Sequence, residues 1–149
     1  MGGVKIMKAV VQRVKNASLS VGDKLISRIG VGLVVFLGVG KDDDEREIEL
    51  LSKKIANMRI FEDENGKMNL SVKDIAGEIL LVSQFTLYAN TSHGNRPSFF
   101  DAEKPDRANL LYEQFALALG DYGVPVKKGV FGADMQILQH NDGPVTIVL

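Results

Sequence analysis

Ser83 and Thr86 stand three residues apart in the stretch VSQFTLY, and their hydroxyls are the first groups to test as nucleophiles. A hydroxyl nucleophile needs a base to take its proton and a further group to orient that base. The chain holds two histidines, His93 and His140, and neither falls in a recognisable catalytic motif. Residues 78–88 read as a strand, and strand side chains alternate in direction. Ser83 and Thr86 then face opposite sides unless the strand ends or bulges between them, so ordinary β-forming hydroxyls are the simpler reading. Asp42-Asp43-Asp44 lacks the alternating carboxylates and central glycine of a calcium loop, and it reads as the acidic start of a helix. Gly38-x-Gly40-Lys41 has neither the length nor the Lys-Ser/Thr ending of a phosphate-binding loop, and it reads as a turn. The chain has no cysteine, which removes disulfides, thiolate metal sites and a thiol nucleophile together.

A backbone feature closes the chain. NDGPVTIVL, residues 141–149, ends in the apolar run of a buried strand, yet Gly143-Pro144 stands at its entrance. Proline has no N–H to give a sheet and belongs at a strand's first residue, at an edge or at a bulge. From these residues alone, Gly143-Pro144 is either a plain turn or a stiff corner aimed at something.

The elements that must carry these groups follow from periodicity. Residues 8–14 and 18–29 are rich in β-branched types, with turn formers at Asn16 and Gly22-Asp23, and are expected as two strands. GLVVFLG, residues 32–38, is an apolar run suited to a strand covered on both faces. In residues 44–58, Ile48, Leu51, Ile55 and Met58 recur at helical spacing. Asp44-x-x-Glu47 forms a capping-box pattern at the start of that helix. Asn65-Gly66 signals a tight hairpin turn, followed by alternating Met68, Leu70 and Val72. Residues 89–104 form a long loop, and long loops in compact domains are often functional. Residues 106–119 read as a second helix, with Pro105 at its first turn, Leu111, Phe115 and Leu119 inward, and Gly120 and Gly123 beyond its end. Residues 124–130, 134–140 and 145–149 complete the strands. Hairpins outnumber βαβ units, so the expected fold is α+β: a mostly antiparallel or mixed sheet curling into a barrel-like core, with two main amphipathic helices.

The chain has 149 residues, 45% hydrophobic and 25% charged, and a formal net charge of −1. That suits one domain over residues 1–149, with residues 1–6 as a possible extension before Met7. No apolar run approaches the roughly 18 residues of a membrane span. A protein that coats long nucleic acid carries a basic excess, so any such contact here should be small and local. Lys53-Lys54 and Lys127-Lys128 are basic spots that read first as solvated surface.

Two strings sharpen this picture. SQFTL at 83–87 and NDGPVT at 141–146 together resemble the signatures of the D-aminoacyl-tRNA deacylase family. QRV at 12–14, MRIFEDENGKMNLSV at 58–72, RPSF at 96–99 and ADMQ at 133–136 extend the likeness from Met7 to Leu149. The resemblance implies a cytoplasmic homodimer that hydrolyses the ester between a D-amino acid and the 3′-terminal adenosine of tRNA. It needs no metal or organic cofactor. The active site lies at the subunit interface, and the Gly143-Pro144 peptide is cis, with carbonyls projecting into the partner subunit's pocket. Arg13 helps hold that corner. Ser83, Gln84, Phe85 and Thr86 border the site, with Phe85 near the terminal adenine and Thr86 as the main side-chain candidate for chemistry. Phe131, Gly132, Ala133 and Met135 complete the wall, although Phe131 and Met135 read equally well as core. The family is thought to rely on the RNA's own 2′-hydroxyl, so the protein would supply position and electrostatics. His93, Arg96 and the 89–104 loop are candidates to shape the pocket mouth and take no assigned role. The alternatives are a Ser/Thr-dependent hydrolase of small esters, which would act without RNA, and a tRNA-end-binding module, which would bind without turnover.

Overall fold

The computed structural model describes residues 7–149, and residues 1–6, expected as an extension, lie outside it. The strands are β1 (Lys8–Val21), β2 (Lys24–Ile29), β3 (Gly32–Gly38), β4 (Phe61–Glu62), β5 (Met68–Leu70), β6 (Glu78–Ser83), β7 (Val126–Lys128) and β8 (Met135–Val148). The helices are α1 (Glu45–Asn57) and α2 (Pro105–Gly120), and a short 3-10 turn covers Phe85–Tyr88. The main sheet runs β2-β1-β3-β6-β7, with β8 paired along the other edge of β1. The pairs β3–β6 and β6–β7 are parallel and the rest are antiparallel, so the sheet is mixed.

The long β1 curls the sheet. Its first half, Lys8 to Val14, pairs with β3, while Ala17 to Val21 pairs with β2, and β8 follows it throughout. The second half of β1 folds over one face of β3 and β6, where Val14, Ala17, Leu19 and Ile29 pack on Val34, Leu80 and Val82. The opposite face carries Leu33, Val35, Leu37, Ile79 and Leu81, covered by Ile48 and Ile55 of α1 and Leu111, Phe115 and Leu119 of α2. β3 is thus covered on both faces, as its unbroken apolar run requires. The outcome is the expected α+β fold, a mixed sheet nearly closed into a barrel and backed by two helices. Burying a side chain such as Phe115 contributes on the order of 1.5–3 kcal/mol.

Helix α1 begins as its sequence dictates. The Asp44 carboxylate accepts from the Arg46 N–H at 2.9 Å, and the Asp44 N–H donates to Glu47 at 2.9 Å. That reciprocal bonding leaves Asp44 as an N-cap rather than a metal ligand. Asn65-Gly66 turns β4 into β5, with Gly66 at φ +75°.

Several strand boundaries differ from expectation. β1 does not break at Asn16; it continues, because a bulge between Val14 and Asn16 absorbs the irregularity and Asn16 pairs with His140. The break falls instead at Gly22-Asp23. Residues 134–140 and 145–149 are not two strands but one, β8, carried across Gly143-Pro144 by its pairing with β1. The strand expected over 124–130 shortens to β7, because β6 offers a partner only from Ile79 to Leu81.

Candidate active site

The strand expected over 78–88 ends at Ser83. Its partner β3 runs out at Gly38, and the last bond is the Gln84 N–H donating to Leu37 O at 2.8 Å. The chain then winds into the 3-10 turn, so Ser83 and Thr86 are not strand neighbours. The turn leaves Phe85 55% exposed. Gln84 Nε2 donates to Thr86 Oγ1, which occupies that hydroxyl as an acceptor.

This turn forms one wall of a cavity of about 550 Å³. Ser83, Gln84 and Phe85 line it from the end of β6, and Phe131, Gly132, Ala133 and Met135 line it from the segment entering β8. Seven of the eight residues expected to border the site therefore meet around one space. Thr86 is not among the lining residues. The third wall comes from the 89–104 loop, a candidate for the pocket mouth, and from the start of α2: Phe99, Glu103 and Pro105 line the cavity there. Phe99 stands edge-on to Phe85, with ring centroids 5.1 Å apart and planes at 70°. On the far side Phe131 leans on the buried Tyr112 ring at 6.0 Å. Phe131 and Met135 thus do both jobs considered for them, packing on the core and lining the space.

The cavity is almost uncharged. Glu103 is its one ionisable lining residue, and the Lys104 N–H at 2.7 Å and the Arg107 guanidinium at 2.8 Å hold its carboxyl below the usual range. It therefore stays ionised and engaged with the start of α2. Neither histidine lines the cavity: His93 is exposed in the loop and His140 is exposed on β8. No hydroxyl–imidazole pair is assembled there. What the cavity offers is aromatic faces, backbone groups and a few neutral hydrogen-bonding side chains. Those features suit a planar, unpaired ring.

The Gly143-Pro144 corner lies elsewhere, outside the lining of this cavity. Gln12 pairs with Thr146 and Val14 with Asn141, so residues 142–145 of β8 bow out opposite Arg13 alone. The peptide bond at Gly143-Pro144 is cis, and both residues are exposed. Gly143 sits at φ +123°, and a Cβ there would meet Val145 Cγ2 at 3.0 Å and Arg13 Nη2 at 3.1 Å. Arg13 is 5% exposed and pins the bow from beneath. Its Nη1 donates to Ile60 O at 2.8 Å and its Nε to Asp142 O at 3.1 Å, with the Asp142 carboxylate 3.5 Å away. Around the corner, Gln139 Nε2 donates to Gln12 Oε1 and Asn141 Oδ1, both at 2.9 Å. A guanidinium with several donors in a fixed fork suits such a task better than an ammonium does.

Fold and cavity together define a class: an α+β, near-barrel domain with a cavity lined by aromatic and backbone groups and a backbone corner, held by Arg13, on its surface. Comparison with known proteins narrows it. The family model for D-Tyr-tRNA(Tyr) deacylase matches residues 10–149. A D-aminoacyl-tRNA deacylase of Thermosipho africanus (strain TCF52B) is 54% identical over 143 residues, 96% of either chain. The structure described as c-Myc DNA Unwinding Element Binding Protein superposes with a TM-score of 0.89 at 46% identity, covering 95% of this chain and 97% of that one. A probable eukaryotic D-amino acid tRNA deacylase superposes at 0.84 with 18% identity, over 96% of this chain and 98% of that one, which speaks for the fold alone. The chain belongs to the D-Tyr-tRNA(Tyr) deacylase family, and so to the hydrolases.

Proposed function

We propose that this protein hydrolyses the ester between a D-amino acid and the 3′-terminal adenosine of tRNA, and that a second copy of the chain completes its site. One observation carries the reading: the residues of a nucleoside-sized cavity come together in one place while the fixed corner of Gly143-Pro144 stands exposed in another. In a twofold dimer each corner enters the partner's cavity. The outward face of β8 supports such pairing, since Leu138 is 75% and Val148 76% exposed on either side of the corner. An isologous contact puts the same patch on both subunits.

In this scheme Phe85 and Phe99 hold the terminal adenine. The first N–H groups of a helical turn lack partners within it, and those of Phe85 and Thr86 stabilise the ester carbonyl as charge develops. The RNA's own 2′-hydroxyl assists hydrolysis, which fits a cavity lined by no histidine. The corner carbonyls occupy the space where an L side chain would lie. Protection of L-esters by 10⁴ requires about 5.5 kcal/mol, whereas one methylene contact supplies about 1–3 kcal/mol. Exclusion by a fixed obstacle is therefore the more effective device. A filter that only blocks the L position admits glycine, so glycyl-tRNA is a substrate too.

The net charge of −1 fits a grip on the acceptor end rather than on a long duplex. Among the described residues no helix is long and apolar enough to cross a membrane. Incubation with tRNA charged with D-tyrosine, L-tyrosine or glycine tests the reading. Loss of the D-tyrosyl and glycyl esters with L-tyrosyl spared is expected. Equal loss of both enantiomers would leave an esterase without the role given to the corner, and no loss of any would make the protein a binding module.

A further inference from the structure

A second cavity, of about 730 Å³, is built from neighbouring residues and, apart from Val148 on the outward face of β8, takes no part in the scheme above. Val39, Phe85, Phe99 and Ala102 line the first cavity, while their near neighbours Gly40, Leu87, Phe100 and Asp101 line the second. The two cavities therefore draw on the same three stretches of chain: the residues after β3, the 3-10 turn and the end of the 89–104 loop.

The second cavity has a different chemistry. Lys41 Nζ stands 3.3 Å from the centroid of the Phe100 ring, and Lys8 Nζ stands 4.8 Å from that of Tyr88. Phe100 is 75% exposed, a large apolar face left in solvent beside two cations. Exposed rings beside cations are how proteins hold single-stranded nucleic acid, with bases on the rings and phosphates on the cations. Carboxylates temper the charge, because Asp42, Asp43 and Asp101 also line the space. Three carboxylates against two ammonium groups exclude a simple polyanion trap, so the ligand must bring hydrogen-bond donors as well as phosphate.

Asp43 is 1% exposed. Its Oδ2 accepts from the Gly40 N–H at 2.6 Å and from the Tyr88 hydroxyl at 3.5 Å. Its Oδ1 is buried and accepts no hydrogen bond among the described residues. An exocyclic amine is the base edge that carboxylates accept from, and cytosine N4 is the characteristic case.

We propose that this cavity holds the nucleotide on the 5′ side of the terminal adenosine. In tRNA that nucleotide is a cytidine. Its base lies against Phe100, its amine meets the carboxylates, and its phosphates reach Lys41 and Lys8. The inference rests on the deacylase reading for the direction of the strand, but its test does not depend on turnover.

The probes are unacylated: adenosine 5′-monophosphate, and the 5′-phosphorylated dinucleotides cytidylyl-adenosine and uridylyl-adenosine, titrated by calorimetry. Stacking one more base is expected to tighten binding about tenfold or more. The cytidine dinucleotide should bind tightest, with the uridine one between it and the mononucleotide. In the double variant Lys41→Ala/Phe100→Ala, both changes at exposed positions, the dinucleotide and mononucleotide should bind alike. A dinucleotide that binds no tighter than the mononucleotide overturns the assignment, and so does an advantage that survives in the variant. Hydrolysis of D-tyrosyl-tRNA, followed in parallel, separates the two readings. Normal hydrolysis without a cytidine advantage sinks this inference alone, whereas a cytidine advantage without hydrolysis upholds it and sinks the deacylase reading.

Discussion

Arg13→Lys separates the role proposed for the corner in selectivity from its part in stability. Arg13 bonds Ile60 O and Asp142 O at once, at 2.8 and 3.1 Å. A lysine keeps the charge, but its single ammonium group cannot occupy both positions. One buried acceptor then goes unmet, which costs about 1–3 kcal/mol. The ion pair to Asp142, whose side chain is 40% exposed, adds at most about 1 kcal/mol. A total of about 1–4 kcal/mol lowers Tm by about 2–16 °C in a chain of this size. If the same bonds hold the corner against an intruding L side chain, discrimination falls by a matching amount, about fivefold or more at about 1.4 kcal/mol per tenfold. The assay is the ratio of kcat/KM for D- and L-tyrosyl-tRNA, with a denaturation curve on the same sample. Asp142→Asn is the control, because it spares the backbone carbonyl and should move both readouts little. A destabilised but folded Arg13→Lys protein with an unchanged D/L ratio would refute the reasoning.

Gly143→Ala places a Cβ 3.1 Å from Arg13 Nη2 at φ +123°. It should cost about 1–3 kcal/mol and lower the same D/L ratio, read in the same assay. Thr86→Ala removes a hydroxyl that only receives a bond from Gln84, so single-turnover hydrolysis of D-tyrosyl-tRNA should slow less than about tenfold. A loss near the factor of about 10⁴ or more that follows removal of a true nucleophile would establish Thr86 chemistry instead. Asp43 has its carboxyl raised chiefly by burial, so the native state holds this proton to higher pH than the unfolded chain does. Its contribution to stability therefore falls as pH rises above the ordinary aspartate value of about 3.9. Stability of Asp43→Asn relative to the parent, measured by urea denaturation from pH 4 to 7, should improve as pH rises and level off once Asp43 is ionised in the folded chain.

What the sequence disclosed and what it hid divide along physical lines. The capping box at Asp44, the hairpin at Asn65-Gly66 and the doubly covered β3 are local or compositional signals, and each appears as read. The 3-10 turn was hidden because Phe85, Thr86, Leu87 and Tyr88 are good strand formers. What ends β6 is the end of its partner β3, which no local pattern contains. The continuity of β8 was hidden for the converse reason. Proline and glycine signal a break, and only pairing with β1 on either side carries the strand across. Phe99 was visible within RPSF, but nothing in that string tells that its ring will meet Phe85 from across a loop.

The corner's position explains why one chain's sequence could mark its importance without giving its use. Arg13, Ile60 and Asp142 spend a buried guanidinium on fixing a few exposed backbone atoms. A buried charge is costly unless fully engaged, and a merely structural turn would not call for one. The atoms so fixed do not line the protein's own cavity. A rigid feature with no intramolecular target, flanked by the exposed Leu138 and Val148, is what a twofold partner would require. On this account selectivity and assembly are one property. A change that weakens pairing, such as Leu138→Glu on the outward face of β8, should abolish discrimination together with dimerisation, which size-exclusion chromatography and the D/L ratio would show on the same sample. Selectivity retained by a monomer would separate the two and place the chiral filter within the single chain.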